Sequence, residues 1–109
     1  MIFYYIDGGK FIKIYDKRDN DNVMIYILDE NERDVFLSCK NIVSLKKIIS
    51  ELNNISEKRI REILKSFIQI GIVFKEEEWY ISLPLEYNCV FKNINNMKYT
   101  EKLQTQAIV

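Results

Sequence analysis

The sequence predicts an α+β domain of winged helix-turn-helix type: a three-stranded antiparallel sheet, three helices and a C-terminal β-hairpin wing. A shorter helix opens at Ser44, and residues 53–55 make the turn into a second, longer one. After Gly71, two short apolar segments flank the charged turn Lys75-Glu76-Glu77-Glu78, a pattern typical of a hairpin. Across residues 56–71 the apolar residues recur at the spacing of one helix stripe, namely Ile60, Ile63, Leu64, Phe67 and Ile68.

The N-terminal part of the chain predicts the sheet. Residues 2–6 and 11–15 are rich in β-branched and aromatic side chains, and the Asp7-Gly8-Gly9-Lys10 segment supplies the positive φ angles of a tight turn. We expect the charged loop at residues 16–22 to stay in solvent. The third strand, residues 23–28, is apolar on both parities, so one face should cover the helices while the other needs a partner or a second layer.

Local hydrogen-bonding residues predict where the helices begin and end. Asp29 and Glu32 have the spacing of a capping box, which predicts a helix from there to about Cys39. Ser56 is the predicted N-cap of the longest helix because its hydroxyl can accept an otherwise unpaired amide proton. Gly71 lies where a left-handed residue would end that helix, a conformation that glycine adopts at little cost.

The pattern weakens after Pro84, which divides the chain into a winged-helix domain, residues 1–85, and a C-terminal extension, residues 86–109. We expect the extension to be either a docking helix or a partly ordered tail, and its sequence leaves both open. Its apolar residues stand among several asparagines: Tyr87, Val90, Phe91, Ile94, Met97, Tyr99 and Leu103.

Composition indicates a soluble cytoplasmic protein. Sixteen basic and sixteen acidic residues cancel in a chain of 109, so no overall field attracts nucleic acid or an anionic membrane. No apolar run approaches the length of a membrane span, and no signal-peptide pattern opens the sequence. We therefore expect no membrane partner. Cys39 and Cys89 are interpreted as reduced thiols, without a disulfide or metal role.

The residue types argue against catalysis. The chain has no histidine, and it carries neither a phosphate-binding loop nor a nucleophile elbow. Cys39 lies on the apolar side of its predicted helix, with no neighbour in sequence that would lower its pKa. Three consecutive glutamates, Glu76-Glu77-Glu78, are interpreted as solvent-facing and not as a metal site. We therefore expect no enzymatic activity and no cofactor.

One alternative function is DNA recognition, in which the second helix of such a motif enters the major groove. Lys58, Arg61 and Lys65 line one exposed side of the predicted helix. Glu57 and Glu62 have the spacing to pair with them, as Glu57 with Arg61, Lys58 with Glu62 and Glu62 with Lys65. A self-paired solvent face is therefore the favoured interpretation of this stripe, and the acidic wing further disfavours DNA.

A second alternative is peptide binding. A third strand at the edge of the sheet would offer free backbone groups to an added strand. Shallow pockets for that strand would come from its apolar side chains and from Tyr4, Tyr5, Tyr15 and Tyr26. The competing interpretation is that these aromatic residues cover the core or a dimer contact.

The order of motifs across residues 1–85 resembles a known family. The motifs are the Asp7-Gly8 hairpin, Ile14-Tyr15-Asp16-x-Arg18, Asp29-x-x-Glu32-x-x-Val35-Phe36-x-x-Cys39, Ser44-Leu45-x-x-Ile48 and Ile60-x-x-x-Leu64-x-x-Phe67-x-x-x-Gly71-Ile72-Val73-Phe74-x-Glu76-x-x-x-Tyr80-Ile81-Ser82-Leu83. This order resembles the PqqD-like peptide-recognition domains, the RiPP recognition elements, including the winged-helix domain at the C-terminus of cobalamin-type radical SAM enzymes.

The resemblance implies a non-catalytic domain that binds the leader segment of a ribosomally made precursor peptide. The leader would add to the third strand, residues 23–28, and lie against the helix at residues 56–70. The resemblance implies that one face of the third strand lines the groove, which is either the face of Met24, Tyr26 and Leu28 or the opposite face with Ile25. It also implies that an acidic leader residue would meet Lys58, Arg61 and Lys65.

A radical SAM maturation enzyme, in cis or in trans, is the implied partner. This chain has no CxxxCxxC motif for an iron–sulfur cluster, so radical chemistry would belong to another chain or to another part of a larger protein. Two other functions stay open, a dimeric transcription regulator and a structural domain that packs against a larger enzyme.

Overall fold

The computed structural model describes residues 2–87, which form an α+β fold with three helices, as predicted. The helices are α1 (Glu30–Ser38), α2 (Leu45–Glu51) and α3 (Glu57–Gln69). The strands are β1 (Ile2–Asp7), β2 (Ile12–Asp19), β3 (Asn22–Leu28), β4 (Val43–Ser44), β5 (Val73–Glu76), β6 (Trp79–Ser82) and β7 (Leu85–Glu86). Within residues 2–87 no helix is long and apolar enough to cross a membrane.

The N-terminal sheet has the strand order β3-β2-β1-β7. The predicted antiparallel pairs β1–β2 and β2–β3 are present, but β7 adds a fourth strand parallel to β1, with Leu85 opposite Tyr4. The sheet is therefore mixed and four-stranded, where the sequence predicted three antiparallel strands. Two residues are too few to show the alternation by which a strand is predicted.

A second sheet has the order β4-β6-β5. Its β5–β6 hairpin turns at Glu77, whose φ is 54°. Lys75 and Glu76, predicted in the turn, are instead paired with Tyr80 and Trp79. The segment directly before α2 is strand β4, which pairs with β6.

The helix ends are where the sequence predicted them. Asp29 caps α1 in a complete capping box, because its carboxylate accepts from the Glu32 amide and the Glu32 side chain accepts from the Asp29 amide. Ser56 accepts from the Arg59 amide at the start of α3. At the other end Gly71 has a φ of 76°, and the Ile72 amide donates to the Phe67 carbonyl at 3.0 Å. This hydrogen bond reverses the chain after α3.

The core lies between the helices and one face of the N-terminal sheet. Phe36 of α1 is stacked edge-on between Tyr5 of β1 and Phe67 of α3, at ring-centroid distances of 5.1 and 6.1 Å. The α3 stripe is buried as predicted except for Ile68, which is exposed. The core also contains Ile12, Ile14, Leu28, Val35, Cys39, Val43, Ile48, Ile55, Ile60, Ile63, Leu64, Ile72, Val73 and Tyr80.

The composition of residues 16–22 predicted a charged loop in solvent, and this prediction is wrong. Strand β2 continues to Asp19 and β3 begins at Asn22, so only residues 20 and 21 lie between the strands. Asp16 is buried with 8% of its surface exposed. The predicted boundary at residue 85 falls within β7, and the rest of the predicted extension, residues 88–109, lies outside the described residues.

Candidate functional site

Strand β3 is at one edge of the N-terminal sheet, where its neighbour within residues 2–87 is β2 alone. Its sequence, Asn-Val-Met-Ile-Tyr-Ile-Leu, contains no charged residue. Four of its apolar side chains are largely in solvent: Val23 (50% exposed), Met24 (47%), Ile25 (50%) and Ile27 (61%). Exposed edges of natural sheets are usually short, charged or covered, because an open edge pairs readily with another strand. β3 has none of these protections along its open side.

The register of β2 and β3 fixes which face each predicted contact residue occupies. Residues directly opposite each other across a sheet lie on the same face. Tyr26 is opposite the buried Ile14, and Leu28 is opposite the buried Ile12. Tyr26 and Leu28, and therefore Met24, face the helices, whereas Ile25 faces the outer side of the sheet.

The helix-facing side chains of β3 become more buried along the strand. Met24 is about half exposed, Tyr26 is partly buried against the core, and Leu28 belongs to the core itself. Met24 and the open side of Tyr26 are therefore accessible to a ligand, while Leu28 packs in the core under the strand.

Two polar contacts tie the ends of helix α3 to the β2–β3 hairpin and the residue that follows it. Near its start, Arg59 lies 3.9 Å from the carboxylate of Asp29, the residue that follows β3. At its end, the carbonyl of Gly71 accepts a hydrogen bond of 3.0 Å from Arg18, close to the β2–β3 turn. Thirteen helical residues span roughly 20 Å and seven strand residues roughly 23 Å, so the two elements match in length.

The predicted basic stripe of α3 is not on the flank toward β3. Arg61 and Lys65 line clefts on the other flank, with side chains of α2 and of the second sheet. At 100° per residue, Arg59, Glu62 and Ser66 share the flank that carries the Asp29 contact. Lys58 is exposed and points away from the buried stripe. The structure thus separates Met24 and Tyr26 from the predicted basic residues.

Of the three predicted ion pairs on α3, one is present. The Arg61 guanidinium binds Glu57 at 2.9 Å, with both side chains more than half exposed. Within the described part of the chain, no ion pair joins Lys58 to Glu62 or Glu62 to Lys65. An exposed pair such as Arg61–Glu57 is worth at most about 1 kcal/mol, so it is readily exchanged for another partner.

Arg18 and Asp16, which sequence reasoning did not place at the site, lock the sheet to α3. The Arg18 guanidinium binds both Asp16 oxygens, at 2.9 and 2.7 Å, and lies 3.7 Å from the Phe3 ring centroid. This ion pair holds the pKa of the Asp16 carboxyl below its usual range. The sequence signal was the alternation Ile12, Ile14, Asp16, which puts the carboxylate on the inner face of β2.

The aromatic residues expected at the surface divide into two groups. Tyr5 is buried in the core, and its hydroxyl donates to Glu86 at 3.3 Å. Tyr4 is buried on the outer face between Tyr15 and Tyr87, and this burial raises its pKa to about 12. Tyr26 is the one of the four beside the open edge.

The Cys39 thiol is not activated as a nucleophile. Its thiol is fully buried, and this desolvation raises the pKa of Cys39 to about 12. A buried neutral thiol is a poor nucleophile, as predicted from its position on the apolar side of α1.

These features define an α+β domain with an open apolar edge strand beside a helix. Comparisons with family models, with curated proteins and with solved structures each gave no match to this chain.

Proposed function

We propose that this chain is a non-catalytic winged-helix peptide-binding domain, similar to the RiPP recognition elements. In this proposal it takes the leader segment of a ribosomally made precursor peptide as an additional strand on β3. The observation that carries the proposal is the open, uncharged edge of β3, with four exposed apolar residues. A cytoplasmic radical SAM-type maturation enzyme, in cis or in trans, would act on the presented peptide.

Strand addition accounts for both the affinity and the selectivity of peptide recognition. Backbone hydrogen bonds to the edge of β3 give affinity that does not depend on the peptide sequence, and alternate side chains give selectivity. Those that point toward the helices meet Met24, Tyr26 and the near flank of α3. We therefore expect a leader with apolar residues at alternate positions in its bound segment.

Charge near the start of α3 favours an acidic residue in the same leader. Arg59 is 44% exposed in its side chain and contacts Asp29 at the long distance of 3.9 Å. A leader carboxylate beside β3 reaches Arg59 first, whereas Lys58, Arg61 and Lys65 become accessible only to a peptide that crosses α3. Arg59 is therefore our preferred acidic-residue contact, ahead of the three cations predicted from sequence.

DNA binding is the rival function, favoured by the exposed cations of α3 that lie outside the Arg61–Glu57 pair. Lys58 and Lys65 are accessible, as a phosphate contact would require. Two features argue against DNA binding. The net charge is zero, and three glutamates at and beside the β5–β6 turn would meet phosphates if this hairpin touched the DNA backbone.

The first test is a binding titration with synthetic leader peptides of the precursors encoded beside this gene. We expect a Kd in the micromolar range or tighter, and Met24→Lys should weaken it by about tenfold or more, because one apolar side-chain contact is worth roughly 1.5–3 kcal/mol. Met24 is half exposed, so the variant should fold. Isothermal calorimetry with thermal unfolding of each variant measures both effects.

Phe74→Lys is the matched control, since Phe74 is an equally exposed apolar residue on the edge strand of the second sheet. It should leave the leader affinity unchanged. A mixed-sequence duplex at two salt concentrations covers the rival function: salt-sensitive DNA binding without a peptide signal would make α3 the site. No binding to either ligand would leave a structural docking domain.

A further inference from the structure

The open edge of β3 is complementary to a second copy of itself. The strand runs from Asn22 to Leu28, so its midpoint is Ile25. When two such strands pair antiparallel about a two-fold axis at this midpoint, each residue lies opposite the one equally far from Ile25 on the other copy. The whole length of both strands is then paired.

This register brings exposed apolar side chains of the two copies together. Ile25 lies opposite its own copy, and Val23 lies opposite Ile27, both on the outer face of the sheet. Met24 lies opposite Tyr26 on the face toward the helices. Cross-strand apolar pairs of this kind stabilise antiparallel strands, and β3 has no charged residue that would meet its own copy.

Another copy of this chain is the occupant that fits this edge. Within residues 2–87 the other outermost strands are β4 and β7, with two residues each, and β5, which carries Lys75 and Glu76. Short edges and charged edges resist the addition of a strand. Among these strands β3 alone is long and uncharged, so the strand that matches it is β3 of a second copy.

The contact between the two copies would be small. Seven residues make an edge roughly 23 Å long, and a contact confined to it lies in the class below roughly 1,200 Å² that is typical of weak, transient complexes. Interfaces of about 1,600 Å² already range from micromolar to picomolar affinity. We therefore expect a dimer Kd above about 1 µM, so that monomer and dimer exchange.

We propose that two copies of this chain associate weakly through β3, which joins their two N-terminal sheets into one continuous sheet. The association itself does not require peptide binding. It uses the same edge as the proposed leader, so a β3 that is paired with a second copy cannot take a leader. The consequence that the leader binds only the monomer rests on the proposed function.

The test is sedimentation equilibrium of the full chain without peptide, from about 10 µM to about 1 mM, a range chosen for a contact of this size. We expect the mass to rise toward twice that of one chain. Ile25→Lys and Ile25→Glu should each remain monomeric, because like charges would then meet at the two-fold axis. An equal mixture of these two variants should restore the dimer, since opposite charges then lie across the axis.

Phe74→Lys and Phe74→Glu are the matched controls, because Phe74 on the edge strand β5 is 54% exposed and Ile25 is 50% exposed. Both controls should dimerise as the wild type does, and circular dichroism checks that every variant is folded. A wild-type chain that stays monomeric over the whole range would overturn the proposal. A dimer that survives in either Ile25 variant would overturn it as well.

Saturating leader peptide distinguishes this inference from the proposed function. We expect the leader to convert the dimer into a complex of one chain with one leader. Leader binding by a chain that never dimerises would overturn the β3 dimer and leave the proposed function standing. A leader-bound dimer that Ile25→Lys still dissociates would put the leader away from β3, which would overturn the proposed function and support the β3 dimer.

Discussion

Arg18 shows how one side chain can set the spacing of two elements. Its guanidinium binds Asp16 through two hydrogen bonds, covers the Phe3 ring and donates to the carbonyl of Gly71 at the end of α3. A planar, multidentate cation suits this position because it can satisfy several acceptors in fixed directions. The spacing between β2 and the C-terminal end of α3 therefore depends on a few polar contacts of Arg18.

Asp16 should make stability dependent on acid pH. Its pKa is lowered in the folded state, so its contribution is present above the unfolded value of about 3.9 and is lost as the pH falls through the folded value. We expect Asp16→Asn to cost about 1–3 kcal/mol at pH 7 and to reduce the loss of stability between pH 5 and pH 2. Urea unfolding across that range measures both effects.

Asp21→Asn is the control for this prediction, because the Asp21 side chain makes no hydrogen bond within the described residues. It should leave the stability at pH 7 unchanged. Asp7, which is bound by Arg33 and also has a lowered pKa, leaves part of the acid dependence in the Asp16 variant. An acid profile for Asp16→Asn identical to that of the wild type would contradict the assignment.

Gly71 tests the same junction from the backbone side. Its φ of 76° disfavours any side chain, and a Cβ there would lie 3.3 Å from Nη2 of Arg18. We expect Gly71→Ala to destabilise the fold by about 1–2 kcal/mol. Gly9, with a φ of 90° and no atom within 4 Å of its Cβ position, isolates the conformational cost. A smaller loss for Gly71→Ala than for Gly9→Ala in chemical denaturation would argue against the Arg18 contact.

At the scale of elements, local hydrogen bonds made the helices predictable and tertiary partners made the strands harder to predict. The capping box at Asp29, the Ser56 cap and the left-handed Gly71 all act within a few residues. Strands β4 and β7 have two residues each and exist only through partners distant in sequence. Pairing of that kind leaves no periodic signal in the strand itself.

The Ser56 cap gives an element-scale prediction. Ser56→Ala removes the acceptor for the Arg59 amide and should cost about 1 kcal/mol of stability. Ser50 provides the control, because it lies within α2 and its hydroxyl only donates to the Lys47 carbonyl in the same helix. Ser50→Ala should be nearly neutral in thermal unfolding. Equal losses in the two variants would show that the cap contributes nothing particular to α3.

At the scale of the whole molecule, part of the candidate site followed from the sequence and part did not. The apolar character of both faces of β3 was visible in residues 23–28, and it is the feature on which the proposed function depends. The choice of basic residues was harder, because the flank of α3 that faces β3 is set by how the helix rolls in the core. That roll puts Arg59 beside β3 and turns Arg61 toward the second sheet.

Strand addition on β3 can be tested by a backbone N-methylation scan of a bound leader peptide, titrated against the full chain. An added strand donates only alternate amide groups to β3. Methylation at every second position of the bound segment should therefore abolish binding, while methylation at the positions between should leave the affinity within a few fold. Equal effects at neighbouring positions, or none at any position, would contradict strand addition on β3.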